Sequence, residues 1–233
     1  MARRPIRRIL FAAALAPLAL GLAGCGKEKT DANAGLSGEP IAKLAPPAGK
    51  AWADTVVKTP EGGYRMGNPD APIKLVEYAS LTCSHCAEFS EKGSAELRDT
   101  FVASGRVSYE FRNFVRDAMD MTASVLTRCG TPESFFPLTE QALANQTAMI
   151  ENAQKAGEAQ FNAAIAMPGD KRGLAMAQLL GLTDFFAARG ISKDQAAACL
   201  ANAAEAEGLA KRAEEQAKQY DIQGTPTFLV NGK

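Results

Sequence analysis

Two segments alternate apolar and polar side chains with a period of two. Ile73-Lys74-Leu75-Val76-Glu77-Tyr78 is the first and Val107-Ser108-Tyr109-Glu110-Phe111-Arg112 the second, and both predict strands. Residues 85–104 between them carry helical spacing. The order strand, helix, strand predicts a parallel pair joined by a right-handed crossover. Residues 64–72 are turn-rich, so folded structure is expected from about Gly63. From 117 to 219 the chain is rich in Ala, Gln, Glu and Leu with helical spacing, broken at Gly130-Thr131-Pro132, Met167-Pro168-Gly169 and Arg189-Gly190. Strand pattern returns only in Thr225-Pro226-Thr227-Phe228-Leu229-Val230. The helices therefore interrupt one α/β unit: residues 63–116 and 220–233 form the unit, and 117–219 an all-helical insertion. Leu179-Leu180-Leu182 and Phe185-Phe186 are expected to be core within it.

The N-terminus follows a different pattern. Arg3, Arg4, Arg7 and Arg8 precede an uncharged run from Ile9 to Gly24 that ends in Leu22-Ala23-Gly24-Cys25. The run is too short for the roughly 20 apolar residues of a membrane span, and Pro17 interrupts it, so residues 1–24 read as an export signal. Its last four residues resemble the lipobox of bacterial lipoproteins, which implies that Cys25 is lipidated and becomes the first residue of the mature chain. Arg7-Arg8-Ile9-Leu10-Phe11 is too degenerate to select an export route. Residues 25–62 contain Pro40, Pro46 and Pro47 and no sustained apolar period, and read as a flexible tether; the strand-like segment 51–57 is the part that could dock on the domain.

Charge changes the picture only by exclusion. Removal of residues 1–24 leaves 22 basic against 26 acidic side chains, which gives no electrostatic reason to bind nucleic acid. Function must rest on particular residues.

Cys83-Ser84-His85-Cys86 follows the first strand and opens the helix. Two intervening residues put both thiols on one helical turn, within disulfide reach. The unpaired N–H groups and positive dipole end of the helix favour a thiolate at Cys83, the species that attacks disulfides. His85, the only histidine, would lower that pKa further and stabilise the reduced form, which makes a stronger oxidant. Cys86, one turn inward, would resolve the mixed disulfide. A zinc site would need two further ligands at ligand spacing, and a c-type haem would need histidine where Ala87 stands. An inert structural disulfide stays open on composition alone.

The run Gly67-Asn68-Pro69-Asp70-Ala71-Pro72, the Cys83-Ser84-His85-Cys86 motif, the long helical insertion and Gly224-Thr225-Pro226-Thr227-Phe228 together resemble the DsbA-like branch of the thioredoxin superfamily, over residues 63–233. The resemblance implies an α/β thioredoxin fold in which Pro226 is cis beside the dithiol and Thr225 presents backbone groups to a substrate polypeptide. It also matches Glu77 to a buried acid that accepts the Cys86 proton; simple alternation would instead turn Glu77 to solvent. In an oxidising compartment Cys129 and Cys199 are expected to form a structural disulfide, the alternative being two buried thiols. Relatives continue past the last strand into another strand and a helix. The sequence stops at Asn231-Gly232-Lys233, so those two elements are expected to be missing.

The expected function is a periplasmic, lipid-anchored thiol-disulfide oxidoreductase: Cys83 as nucleophile, Cys86 as resolver and His85 tuning the potential, with no cofactor or metal. Its expected partners are exported cysteine-containing polypeptides and a membrane redox protein that recycles the dithiol, with the chain itself a monomer. The alternatives are a thiol reductase, for example in cytochrome c maturation, and a non-catalytic thioredoxin-fold metal chaperone or binding module.

Overall fold

A computed structural model describes residues 41–233. The signal segment, Cys25 and the first part of the tether lie outside the described residues. Five strands form one mixed sheet in the order β1-β2-β4-β3-β5, with β1 (Val56–Lys58), β2 (Tyr64–Gly67), β3 (Ile73–Ala79), β4 (Val107–Asn113) and β5 (Thr227–Val230). β3 and β4 pair in parallel, Ile73 opposite Val107 and Ala79 opposite Asn113. All other pairings are antiparallel.

The crossover from β3 to β4 carries α1 (Ser84–Lys92), the short α2 (Ser94–Glu96) and a wider turn over Leu97–Val102. The expected single helix is thus broken at Gly93. Between β4 and β5 lie α3 (Ala118–Thr127), α4 (Phe135–Ala144), α5 (Gln146–Ile165), α6 (Gly169–Leu179), α7 (Leu182–Ala187), α8 (Lys193–Leu200) and α9 (Ala203–Gln219). Polar caps set several starts: Asp117 accepts from Asp120 N–H, Ser192 from Gln195 N–H and Asn202 from Glu205 N–H. This is an α/β thioredoxin-like fold with a helical insertion. None of the described helices is long and apolar enough to cross a membrane.

The core has two parts that meet at the sheet. Tyr64 of β2 stacks on Phe135 of α4 at 3.9 Å between ring centroids, and Phe111 of β4 meets Phe135 edge-on. Met176, Leu180, Leu182 and Phe186 are fully buried within the insertion. Cys129, just past α3, and Cys199 of α8 are joined by a disulfide with Cα atoms 5.9 Å apart.

The boundary of the folded part differs from the sequence reading. Residues 64–67 are a strand, not a turn: Tyr64 and Met66 bury against the core, while Arg65 is half-buried and lines a cavity beside Glu110 and Arg112. Ordered packing also begins well before residue 63. Leu44 N–H donates to the Ser104 carbonyl at 2.9 Å, Trp52 Nε1 donates to the Leu44 carbonyl at 2.7 Å, and Trp52 is buried. Gly105, at φ +73°, leaves no room for a Cβ beside Leu44 and Trp52. The segment 51–57 docks as its strand-like pattern allowed, and the proline-rich composition hid only the earlier contact at Leu44.

Candidate active site

β3 ends at Ala79, and the loop Ser80-Leu81-Thr82 delivers Cys83 to the N-cap of α1 with extended backbone (φ −94°, ψ 119°). No side chain caps this helix, so its first N–H groups are free to face the Cys83 sulfur. The thiol donates to the Thr225 carbonyl at 3.2 Å. Burial disfavours the thiolate. Hydrogen bonds from the Thr225 side chain, the Cys86 N–H and thiol, and the His85 N–H outweigh that and hold Cys83 below the ordinary thiol range. Cys83 is 4% exposed, yet it forms the floor of a groove of about 580 Å³ bounded by Thr82, His85, Gln146, Gln223 and Thr225. A cavity of similar size, about 500 Å³, lies on the other sheet face between Lys74, Val76 and Arg112, away from the thiols.

Cys86 is fully buried, and both thiols are free. Burial is the main cause that pushes its pKa up to about 12, reinforced by the adjacent Cys83 and opposed by the Ser80 N–H. The two sulfurs are therefore polarised in opposite directions: one is primed to ionise, the other to keep its proton.

Glu77 points inward from β3, 2% exposed, and receives a short hydrogen bond from the Tyr109 hydroxyl. Burial raises its pKa to about 7 against the opposing effect of Tyr109. It shares with Cys86 a cavity of about 20 Å³, the size of about one water molecule. Alternation does not turn Glu77 outward, because α1 and α4 cover its side of the sheet.

Thr225-Pro226 is a cis peptide immediately before β5, and β5 lies beside β3 with Thr227 opposite Tyr78. The His85 ring is placed differently from the sequence expectation. It is 78% exposed, with Nδ1 3.7 Å from Glu88 Oε2, and only its main-chain N–H assists Cys83. A residue at the second helical position projects along the outer face of the turn, and Glu88 one turn on draws the ring away.

Two residues at the site escaped sequence reading. Gln146 Nε2 donates to the Cys83 carbonyl at 2.8 Å from the start of α5, and Asp120 accepts from the Leu81 N–H at 2.9 Å. Asp117-x-x-Asp120 is visible as a helix-start pattern, but nothing local says that Asp120 reaches back across 39 residues.

A parallel β3-β4 crossover, a dithiol at the start of its helix and a cis proline facing that dithiol define a thioredoxin-fold protein with a redox-type site. The thioredoxin family model matches residues 59–233, and the chain belongs to this family. It is 36% identical to a protein-disulfide isomerase of Novosphingobium aromaticivorans in the crystal, with a TM-score of 0.69, over 72% of this chain and 86% of that one. The α-DsbA1 of Wolbachia pipientis shares the fold at 21% identity and a TM-score of 0.58, over 74% and 75% of the two chains. A Rickettsia bellii protein provisionally named a protein-disulfide oxidoreductase is 27% identical over 75% of this chain and 59% of its own length. The chain thus spans under two thirds of the curated relatives it matches.

Proposed function

We propose that the protein is a thiol-disulfide oxidoreductase acting on cysteine-containing polypeptides outside the cytoplasm, held at a membrane by a lipid on Cys25. The observation that carries the catalytic part is the placement of Cys83 at the N-cap of α1 against the Thr225 carbonyl and the cis peptide at Pro226, with Cys86 fully buried one turn on.

In the oxidising direction a substrate thiolate attacks Cys83 Sγ of the Cys83-Cys86 disulfide. A bond forms between the substrate sulfur and Cys83, and the Cys86 sulfur leaves with the electron pair. Its high proton affinity requires a donor, and Glu77, with a pKa about 7 and in the same small cavity, supplies the proton. A second substrate thiolate attacks the first substrate sulfur, and Cys83 leaves as a thiolate stabilised by the helix N–H groups. The substrate dithiol has lost two electrons and the protein has gained them. Thr225, beside Cys83 and next to the cis proline, offers its backbone to an extended substrate segment in strand-like pairing.

The low Cys83 pKa favours the reduced protein and hence oxidation of substrates. The export signal and the lipobox resemblance support the site of action. The test is the equilibrium potential against glutathione, with Cys86→Ala used to trap substrates as mixed disulfides. A potential near about −120 mV makes the protein an oxidase and one near about −270 mV a reductase. Failure of Cys86→Ala to trap any thiol partner would overturn the enzymatic reading.

A further inference from the structure

The loop before Cys83 is held almost entirely by two aspartates of the insertion. Asp120 is fully buried at the start of α3. Its Oδ1 accepts from the Leu81 N–H at 2.9 Å and from the Ser124 hydroxyl at 3.2 Å, and its Oδ2 from the Arg116 N–H at 3.0 Å. Asp117 caps α3 by accepting from the Asp120 N–H at 2.8 Å and takes the Thr82 hydroxyl at 3.0 Å on its other oxygen. Thr82 N–H in turn donates to Ser80 Oγ at 3.1 Å, and Cys83 N–H to the Ser80 carbonyl at 3.2 Å. Ser80, Leu81, Thr82 and Cys83 are each tied in place by this chain of contacts.

We propose that Asp120 is a positioning residue for the nucleophile: its carboxylate clamps the β3-α1 loop so that Cys83 Sγ stays aligned with the helix N–H groups that stabilise its thiolate. The inference rests on Cys83 being the reactive thiol. Every group facing the Asp120 carboxylate is a donor, so both oxygens must accept, and an uncharged isostere must turn an N–H toward another N–H. Burial raises the Asp120 pKa to about 6, and the hydrogen bonds it accepts oppose the rise, so the carboxylate is ionised at neutral pH.

The sign of the effect distinguishes positioning from charge alone. A buried anion near Cys83 opposes the thiolate, so neutralising Asp120 with the loop unmoved lowers the Cys83 pKa. Loss of alignment raises it. The experiment is thiolate titration of the full-length reduced chain by absorbance at 240 nm, each protein read against its own Cys83→Ser counterpart, for wild type, Asp120→Asn and Thr82→Val. Thr82→Val removes only the outer link of the clamp and keeps the buried carboxylate, so it decides the question if Asp120→Asn does not fold. The expected result is a Cys83 pKa higher by about one unit in Asp120→Asn and by less in Thr82→Val, with about tenfold less thiolate in Asp120→Asn at pH values below the pKa. An unchanged or lower Cys83 pKa overturns the proposal. A wild-type Cys83 that titrates as an ordinary thiol would instead sink the enzymatic reading on which it rests.

Discussion

Replacing Glu77 by Gln should stabilise the reduced protein at neutral pH, although it removes a buried charged residue from the centre of the sheet. Gln keeps the shape and still accepts from the Tyr109 hydroxyl, so the change isolates the charge. In the folded protein Glu77 titrates at about 7 and in the unfolded chain near 4.5. Its folded pKa is raised, so the protonated form is the one folding prefers: wild-type stability is undiminished below about pH 4.5 and falls as pH rises to about 7. At about 1.36 kcal/mol per pH unit, holding that carboxylate ionised above pH 7 costs the fold about 3 kcal/mol. Urea denaturation of both fully reduced proteins at pH 4, 6 and 8 should therefore give a gap of about 3 kcal/mol at pH 8, a smaller one at pH 6 and almost none at pH 4, with equal m-values. A variant less stable at pH 8, or a gap that ignores pH, would refute the claim that the environment of Glu77 penalises its charge. Because Glu77 is also placed to exchange the Cys86 proton, the more stable variant should resolve mixed disulfides more slowly above pH 7.

Ultraviolet titration of the reduced chain should show Cys83 ionising below the ordinary thiol range of about 8.5, with Cys86 retaining its proton until about pH 12. His85→Ala should move the Cys83 pKa by less than about half a unit, because the exposed ring faces Glu88 and exposed charges couple weakly; a larger shift would show that the ring turns to the sulfur in solution. Replacing Cys129 and Cys199 by Ala should lower stability by about 4 kcal/mol in the chain-entropy model for a separation of 70 residues, read by denaturation without reductant. Phe135→Ala, which empties a fully buried position where Tyr64 and Phe111 converge, should cost about 3–5 kcal/mol by the same assay.

The parts of the fold that sequence made legible are those in which neighbours along the chain decide the outcome. Alternation in 73–78 and 107–112 is written in consecutive residues, and both strands form there. Helical spacing over 117–219 survives as seven helices because each buries its own stripe. What stayed hidden depends on contacts between distant residues. β2 is four residues in a turn-rich context and becomes a strand through pairing with β1 and β4, Tyr64 opposite Lys58 on one side and Phe111 on the other. The docking of Leu44 and Trp52 depends on the corner at Ser104 and Gly105 sixty residues later.

The site divides the same way, and the division bears on what each carboxylate does. Cys83 and Cys86 announce themselves because their chemistry needs only one helical turn. Their opposite polarisation follows in part from the motif, whose His85 and Cys86 N–H groups favour the Cys83 thiolate, and in part from the tertiary fold, which adds Thr225 beside Cys83 and buries Cys86. Glu77 was legible through the family resemblance as a buried acid, and α1 and α4 cover its side of the sheet as the proposed proton exchange requires. Asp120 escaped the sequence reading, because its contacts arise only where α3 abuts the loop before Cys83. Both acids are held against a desolvation cost that raises their pKa, but their partners differ. Glu77 meets one donor and stands near its titration point at neutral pH, which suits proton transfer. Asp120 meets three donors that occupy both of its oxygens, which suits a clamp.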